Sequence, residues 1–406
     1  MKNKIENFTK WAFISLATLP LLKPNHNSII IILCALLTSF YFFNTKTKKR
    51  FEFKNLTYLL PFFLFLCYEL ISKSYNLQTI LLNLPYLIFP LLFIYKPNFI
   101  NNKVRDKSFV VFQISVVIQT LLFFVTFLRK NSLSTLFNIS KENIPFFREY
   151  VMNNYLFEIH PTYFSSYLLF SITISFFKFK ESKIFYSLNI LFSIFFIFLF
   201  SSRIIILLLF ATILSFVIYH FLLKGIKSKS LVIVSTIILL TGLFFFKSSF
   251  ILNRFYEIKN EINKPVVGNH YNSTNTRVAI YKCDIFLTND LPFWGYGNEL
   301  QKELNKCFAE NNNSNFYKIN VFNTHNYYYH LILYGGILFL LVFLFYLYSV
   351  FKNIKYSLLA VFLFFQFLSI NLTENYLSRH YGLVLFCYFT SLFMFFKKER
   401  INARVK

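Results

Sequence analysis

Three side chains in this sequence, among a wider set of ionisable groups, have types that could do chemistry at a site. Arg203 is the one fixed charge between Lys183 and Lys224, with 19 residues on one side of it and 20 on the other. Arg277 lies in "TRVAIYKCDIFLTND", and His325 lies in "FNTHNYYYHLILYGG". A guanidinium keeps its proton and grips phosphate oxygens two at a time, so a pair of arginines can neutralise a departing phosphate. An imidazole titrates near neutrality and is the usual group to take a proton from a weakly nucleophilic hydroxyl. Supporting candidates are His160 in "HPTYFSSY", Asn326 and His330 near His325, and Glu374 and Arg379 in "NLTENYLSRHYG".

Each residue also has a plainer reading. Arg203 can snorkel to headgroups from a hairpin tip, and Arg277 can be a solvated charge on an amphipathic helix. His325 can mark a wet helix start beside the interfacial aromatics Tyr327, Tyr328 and Tyr329. His330, five residues on, sits about 140° around a common helix from His325 and reads mainly as structural. Glu374 with Arg379 can brace a helix hairpin, and His160 before Pro161 can cap a helix.

The elements that must position these groups are membrane spans. Of the 406 residues, 56% are hydrophobic and 22% aromatic, with a mean hydropathy of +0.51, too apolar for a soluble domain. The fold class is an all-α integral membrane protein. At roughly 20 residues per crossing the apolar runs give about twelve helices, at 8–22, 28–43, 56–72, 77–95, 108–128, 160–178, 184–200, 204–223, 231–246, 326–350, 356–371 and 376–396. The first is interrupted by Pro20, lacks a following cleavage site and is expected to be retained.

The net charge of +25 is topology and not a nucleic-acid patch, because the basic residues punctuate apolar runs and do not gather on one stripe. Lys46, Lys48, Lys49, Arg50, Lys397, Lys398 and Arg400 crowd alternate loops, whereas short loops on the other side carry Lys23, Lys73, Arg203 and Arg379 singly. The positive-inside rule then places both termini in the cytoplasm and Arg203 outside. It also places outside His26, His160, His270, His325, His330 and His380, with His220 the exception. Such a gathering of ionisable groups at one membrane face is what a site there needs.

Three segments follow: 1–246 with nine spans, an outer loop at 247–325, and 326–406 with three spans and a cytoplasmic tail. The loop holds 7 of the 17 acidic residues and two amphipathic helix candidates, parted by "LPFWGYG" with Pro292, Gly295 and Gly297; "NNNSN" at 311–315 reads as a joint. Cys283 and Cys307 both fall there, where a disulfide is one alternative. No histidine spacing or Asp-x-Asp pair holds a metal persuasively, and no glycine loop cradles a nucleotide; no cofactor is expected.

Twelve spans, a large loop between the ninth and tenth, the arginine opening the eighth span, the arginine ahead of "LPFWGYG", and "THNYYYHLILYGG" together resemble the O-antigen ligase and polymerase superfamily. The more specific part is residues 277–337. Tyr281 stands where the loop helix often has tryptophan, and Asn298 where an acid is usual. The resemblance implies an inverting, metal-independent glycosyltransferase of the bacterial inner membrane, working at the periplasmic face on a glycan carried by undecaprenyl pyrophosphate. By matching position, Arg203 and Arg277 hold the pyrophosphate and His325 serves the acceptor hydroxyl. The acceptor is a lipid or glycan, lipid A core for a ligase or the carrier-linked glycan for a polymerase; the long loop and "THN" favour the ligase. A flippase or transporter fits less well, because its polar groups belong near the midplane, and a bare scaffold has little use for the outer-face arginines and histidines.

Overall fold

A computed structural model describes residues 2–45, 51–72, 75–139, 144–154, 159–224, 273–312 and 321–396, with positions 242, 256, 258–260 and 262 between. The expected span at 231–246, most of the outer loop before the first amphipathic helix, His270 and most of "NNNSN" lie outside the described residues, apart from Gly242 and the few others just named.

The described chain is nearly all helix. In order come α1 (Lys2–Ser15), α2 (Pro24–Thr45), α3 (Leu60–Ile71), α4 (Leu77–Asn83), α5 (Pro85–Ile94), α6 (Asn102–Leu128), α7 (Phe146–Met152), α8 (Pro161–Lys178), α9 (Lys183–Phe200) and α10 (Arg203–Lys224). After the loop come α11 (Ser273–Asn289), α12 (Leu300–Asn311), α13 (Tyr327–Ile354), α14 (Leu358–Ile370) and α15 (His380–Phe395). Local chemistry sets several boundaries. The Asn76 side chain accepts from the Gln78 N–H at 2.9 Å to open α4, Pro85 begins α5 where its missing N–H costs nothing, and Ser357 caps α14.

Five stretches among the described residues are long and apolar enough to cross a membrane: Pro24–Thr45, Leu77–Ile94, Asn102–Leu128, Lys183–Phe200 and Tyr327–Ile354. Shorter apolar helices run at Leu60–Ile71, Arg203–Tyr219, Leu358–Ile370 and His380–Phe395. The protein is a multi-pass membrane protein. Several expected spans are less regular than their hydropathy; 56–72 opens in a 3-10 turn and 77–95 breaks between α4 and α5. Residues 8–22 divide into the end of α1 and a 3-10 turn, Leu16–Leu21, around Pro20, and 376–396 begins with a 3-10 turn at Tyr376–Ser378 before α15.

The chain forms two compact units. One contains residues 1–115 and 265–406, the other residues 116–264. In the second unit α8 is buried along nearly its whole length, which a single helix achieves only inside a bundle. Its serines face α9: the Asn189 amide donates to Ser171 Oγ at 2.9 Å and Ser175 Oγ at 2.8 Å. These buried bonds hold two apolar helices together where lipid offers no hydrophobic contrast. In the first unit, α3 packs on α13 and α5 on α15, with Tyr86 and Tyr346 meeting edge to face at 5.7 Å.

Candidate active site

The loop helices of the first unit are fastened in two ways. A disulfide joins Cys283 on α11 to Cys307 on α12, with the Cα atoms 5.8 Å apart. The turn "LPFWGYG" clamps onto the Gly335–Gly336 kink in α13: the Tyr296 N–H donates to the Leu333 carbonyl at 2.7 Å, and Gly295 and Gly336 both have positive φ, 70° and 79°. A Cβ at Gly295 would lie 2.5 Å from the Tyr334 carbonyl oxygen, and one at Gly336 2.3 Å from that of Phe293. Two backbones this close exclude every side chain, and the left-handed conformation also favours glycine.

Beneath the clamp lies Glu69 on α3, fully buried. Its Oε2 accepts from the Asn298 amide at 3.0 Å and the Asn76 N–H at 2.8 Å, and its Oε1 accepts from the Tyr334 hydroxyl. Asn298 therefore explains its departure from the usual acid. An amide donates to Glu69, whereas a second carboxylate there would repel it. Tyr68 next door donates its hydroxyl towards the carbonyls of Trp294, 2.6 Å away, and Tyr334, 2.8 Å away.

The segment before α13 is held against the segment after α14. The Thr324 hydroxyl lies 3.0 Å from Asn375 Oδ1, and the Tyr327 N–H donates to the Asn371 carbonyl at 2.9 Å. Asn326 caps α13, its Oδ1 accepting from the N–H groups of Tyr328 and Tyr329. His325 therefore does not share a helix with His330, and the 140° argument does not apply: the cap stops the helix short of it. His325 instead has φ 44°, a conformation uncommon for a side chain of its size and one that recurs at functional sites.

That turn delivers His325 to Glu374. The imidazole Nδ1 lies 3.3 Å from Glu374 Oε2, and Arg277 Nη2 donates to Glu374 Oε1 at 2.7 Å. The carboxylate is buried, with 6% of its side chain accessible, while 32% of Arg277 and 27% of His325 remain exposed. Buried anion with half-exposed cation and imidazole is an arrangement that orients both partners and leaves their outer atoms accessible. Glu374 does not brace a hairpin with Arg379; its partner is Arg277, 97 residues away. Tyr281, one turn along α11, adds a bond from its hydroxyl to the Leu372 carbonyl at 3.2 Å.

The second unit places its own polar groups at the α9–α10 turn. Ser201 is left-handed (φ 49°), and half-buried Arg203 is the first residue of α10. His160 caps α8, with Nδ1 accepting from the Thr162 N–H at 3.3 Å. The buried cation here is Arg148 on α7, which donates to the Phe200 carbonyl at the end of α9 at 2.8 Å and to Thr162 Oγ1 at 3.3 Å.

Residues 188–344 match the family model described as O-antigen ligase. This match covers under half of the chain and supports a relationship to the O-antigen ligase and polymerase superfamily. No curated protein matches the chain. This O-antigen ligase match contains Arg203, Arg277 and His325, but Glu374, which brings two of them together, lies beyond it. The matched family implies a glycosyltransferase-like enzyme of lipid-linked glycan processing.

Sequence reasoning missed Glu69, Arg148, Tyr334 and Asp284. Glu69 had a signal, being the only acid in the third apolar run. Asp284 had none: it lies on amphipathic α11, fully buried with neither carboxyl oxygen hydrogen-bonded, and burial pushes its pKa up to about 8.

Proposed function

We propose that this protein is an O-antigen ligase-like, inverting and metal-independent glycosyltransferase that moves a glycan from undecaprenyl pyrophosphate to an acceptor hydroxyl, lipid A core or a similar lipid. It works at the periplasmic face of the bacterial inner membrane, with both termini cytoplasmic. The observation that carries the reading is the Glu374 carboxylate set between the Arg277 guanidinium and the His325 imidazole. The Cys283–Cys307 disulfide supports an oxidising compartment for the loop.

In this reaction the acceptor O–H gives its proton to His325 Nε2, with Nδ1 turned to Glu374. The acceptor oxygen attacks the sugar C1 from the face opposite the phosphate, and the C1–O bond breaks with its electron pair passing to undecaprenyl pyrophosphate. Positive charge fixed beside the departing oxygens favours that step. Arg277 provides it, steered by Glu374, and the family resemblance assigns Arg203 the same ligand. Long, imperfectly aligned contacts such as that of Nδ1 with Oε2 are common before substrates bind.

The test is transfer by purified protein in nanodiscs, supplied with carrier-linked glycan and a lipid A core acceptor in the presence of a chelator. The reading expects an inverted glycosidic linkage and released undecaprenyl pyrophosphate. Retained configuration, or loss of transfer to the chelator, would sink the mechanism. Extension of the carrier-linked chain in place of core modification would make the protein a polymerase.

A further inference from the structure

The first unit holds a half-open polar pocket beside the candidate site, a cavity of about 280 Å³, near the lower end of ligand-pocket sizes of about 300–1,000 Å³. The side chains of Asn83, Asn323, His330, Asn375, Ser378 and Arg379 line it. Their unused atoms define what it accepts. The Ser378 hydroxyl is buried with no hydrogen-bond partner. Among the described residues, Asn323 and Asn375 use only their Oδ1 atoms, towards the His325 N–H and Thr324, and their Nδ2 donors meet no acceptor. Asn83 uses only its Nδ2, towards the Thr79 carbonyl. The His330 ring is stacked between Tyr327 and Tyr334, 6.0 and 5.7 Å between centroids, with no hydrogen bond to its nitrogens among the described residues.

The electrostatics are one-sided. Arg379 forms no ion pair or hydrogen bond with its side chain among the described residues, and none of the lining residues is acidic. Glu69, in the surrounding frame, turns its oxygens to Asn76, Asn298 and Tyr334, and Glu374, next to Asn375, turns its own to Arg277 and His325. Amide donors and an acceptor suit ring hydroxyls, Phe65 and Leu304 offer an apolar wall, and an unpaired guanidinium calls for an oxyanion. Position decides whose sugar this is. The two residues preceding His325 line the chamber and Arg277 does not, so it lies on the base's side and not on the side of the arginine assigned to pyrophosphate.

We infer that this cavity is an acceptor subsite for a sugar residue bearing an oxyanion, a carboxylate or a phosphate, read by Arg379 and the surrounding amides. The inference rests on the transferase reading for the word acceptor, while the binding it describes is measurable without any transfer. The experiment is saturation-transfer NMR on the full-length protein in nanodiscs, with methyl glucuronide, glucose 6-phosphate and neutral methyl glucoside as probes. One or both anionic sugars are expected to bind about tenfold or more tightly than the neutral one, the scale of one charge-assisted hydrogen bond. Preference for one alone identifies carboxylate or phosphate as the group read. Arg379→Gln should abolish the preference. Arg379 is exposed, so the variant leaves the packing alone. Asn375→Asp, which keeps the oxygen facing Thr324, should weaken the anionic probes specifically by adding a like charge.

Equal binding of all three sugars, binding of none, or an anionic preference that survives both substitutions overturns the subsite. His325→Ala should bind the probes as the wild type does while losing transfer. A protein that keeps the Arg379-dependent preference but transfers no glycan removes the proposed function and leaves the subsite standing; one that transfers glycan with no such preference does the reverse.

Discussion

The two units each set arginines among polar side chains at helix ends, and they use them differently. At the α9–α10 turn, Arg148 is buried and directed at a backbone carbonyl, closing the end of α9 with Thr162, His160 and Ser202 packed around it. Around Glu374, a buried carboxylate draws Arg277 and His325 from two distant segments and leaves both partly open to solvent. The first arrangement satisfies the chain's own orphan groups; the second holds reactive groups in place without consuming them. An arginine buried against a backbone carbonyl is thus no sign of a ligand. A half-exposed one steered by a buried acid is a better one.

The comparison breaks most visibly at His325. His325→Ala should lower transfer by about 10²-fold or more, the scale of a lost general base, with carrier-lipid binding nearly unchanged. His330→Ala should do much less. A variant His325→Ala that transfers normally removes the base from the scheme. Next in size, Arg203→Lys and Arg277→Lys keep the charge but lose the two-pronged contact, and each should reduce transfer by about tenfold or more with an unchanged melting temperature. Near wild-type transfer by Arg203→Lys would return that residue to snorkelling.

The structural arginine should behave in the opposite way. Arg148→Met leaves the Phe200 carbonyl unsatisfied and should cost about 1–3 kcal/mol of stability, read as a lower melting temperature, with the specific activity of the surviving folded protein preserved. An unchanged melting temperature would merge the two classes of arginine.

A further effect, on pH dependence, concerns the loop. Because burial holds Asp284 up to about 8, above its ordinary 3.8, the folded protein keeps a proton that the unfolded chain releases. The stabilising effect is complete below about pH 4 and fades as pH rises towards 8, by about 1.4 kcal/mol per pH unit. Asp284→Asn should flatten that dependence and raise the melting temperature at pH 7; melting curves that run parallel with pH would place the Asp284 proton elsewhere.

Much of the fold was legible because its causes are local. Apolar runs, the prolines at 85 and 161, and "LPFWGYG" mark helices and breaks within a few residues of where they occur. The loop helices fall where their amphipathic patterns put them, and His160 caps α8 as its place before Pro161 suggests. The irregular start of α15 was not legible, since the hydropathy of 376–396 is continuous while its backbone is tied by the Leu377 N–H to Asn371.

The sequence by itself determined the class of protein and the residue types proposed for the site: a membrane chain with arginines at 203 and 277 and histidine at 325. Only the tertiary structure decided which acid meets Arg277 and His325, that His325 lies on a left-handed turn off the helix, that Cys283 and Cys307 are bonded, and that Arg379 faces a cavity in place of Glu374. The physical reason is range. Period, caps and hydropathy act over a few residues, whereas the Arg277–Glu374 pair spans 97 and exists only because α11, the start of α13 and the end of α14 pack to one place.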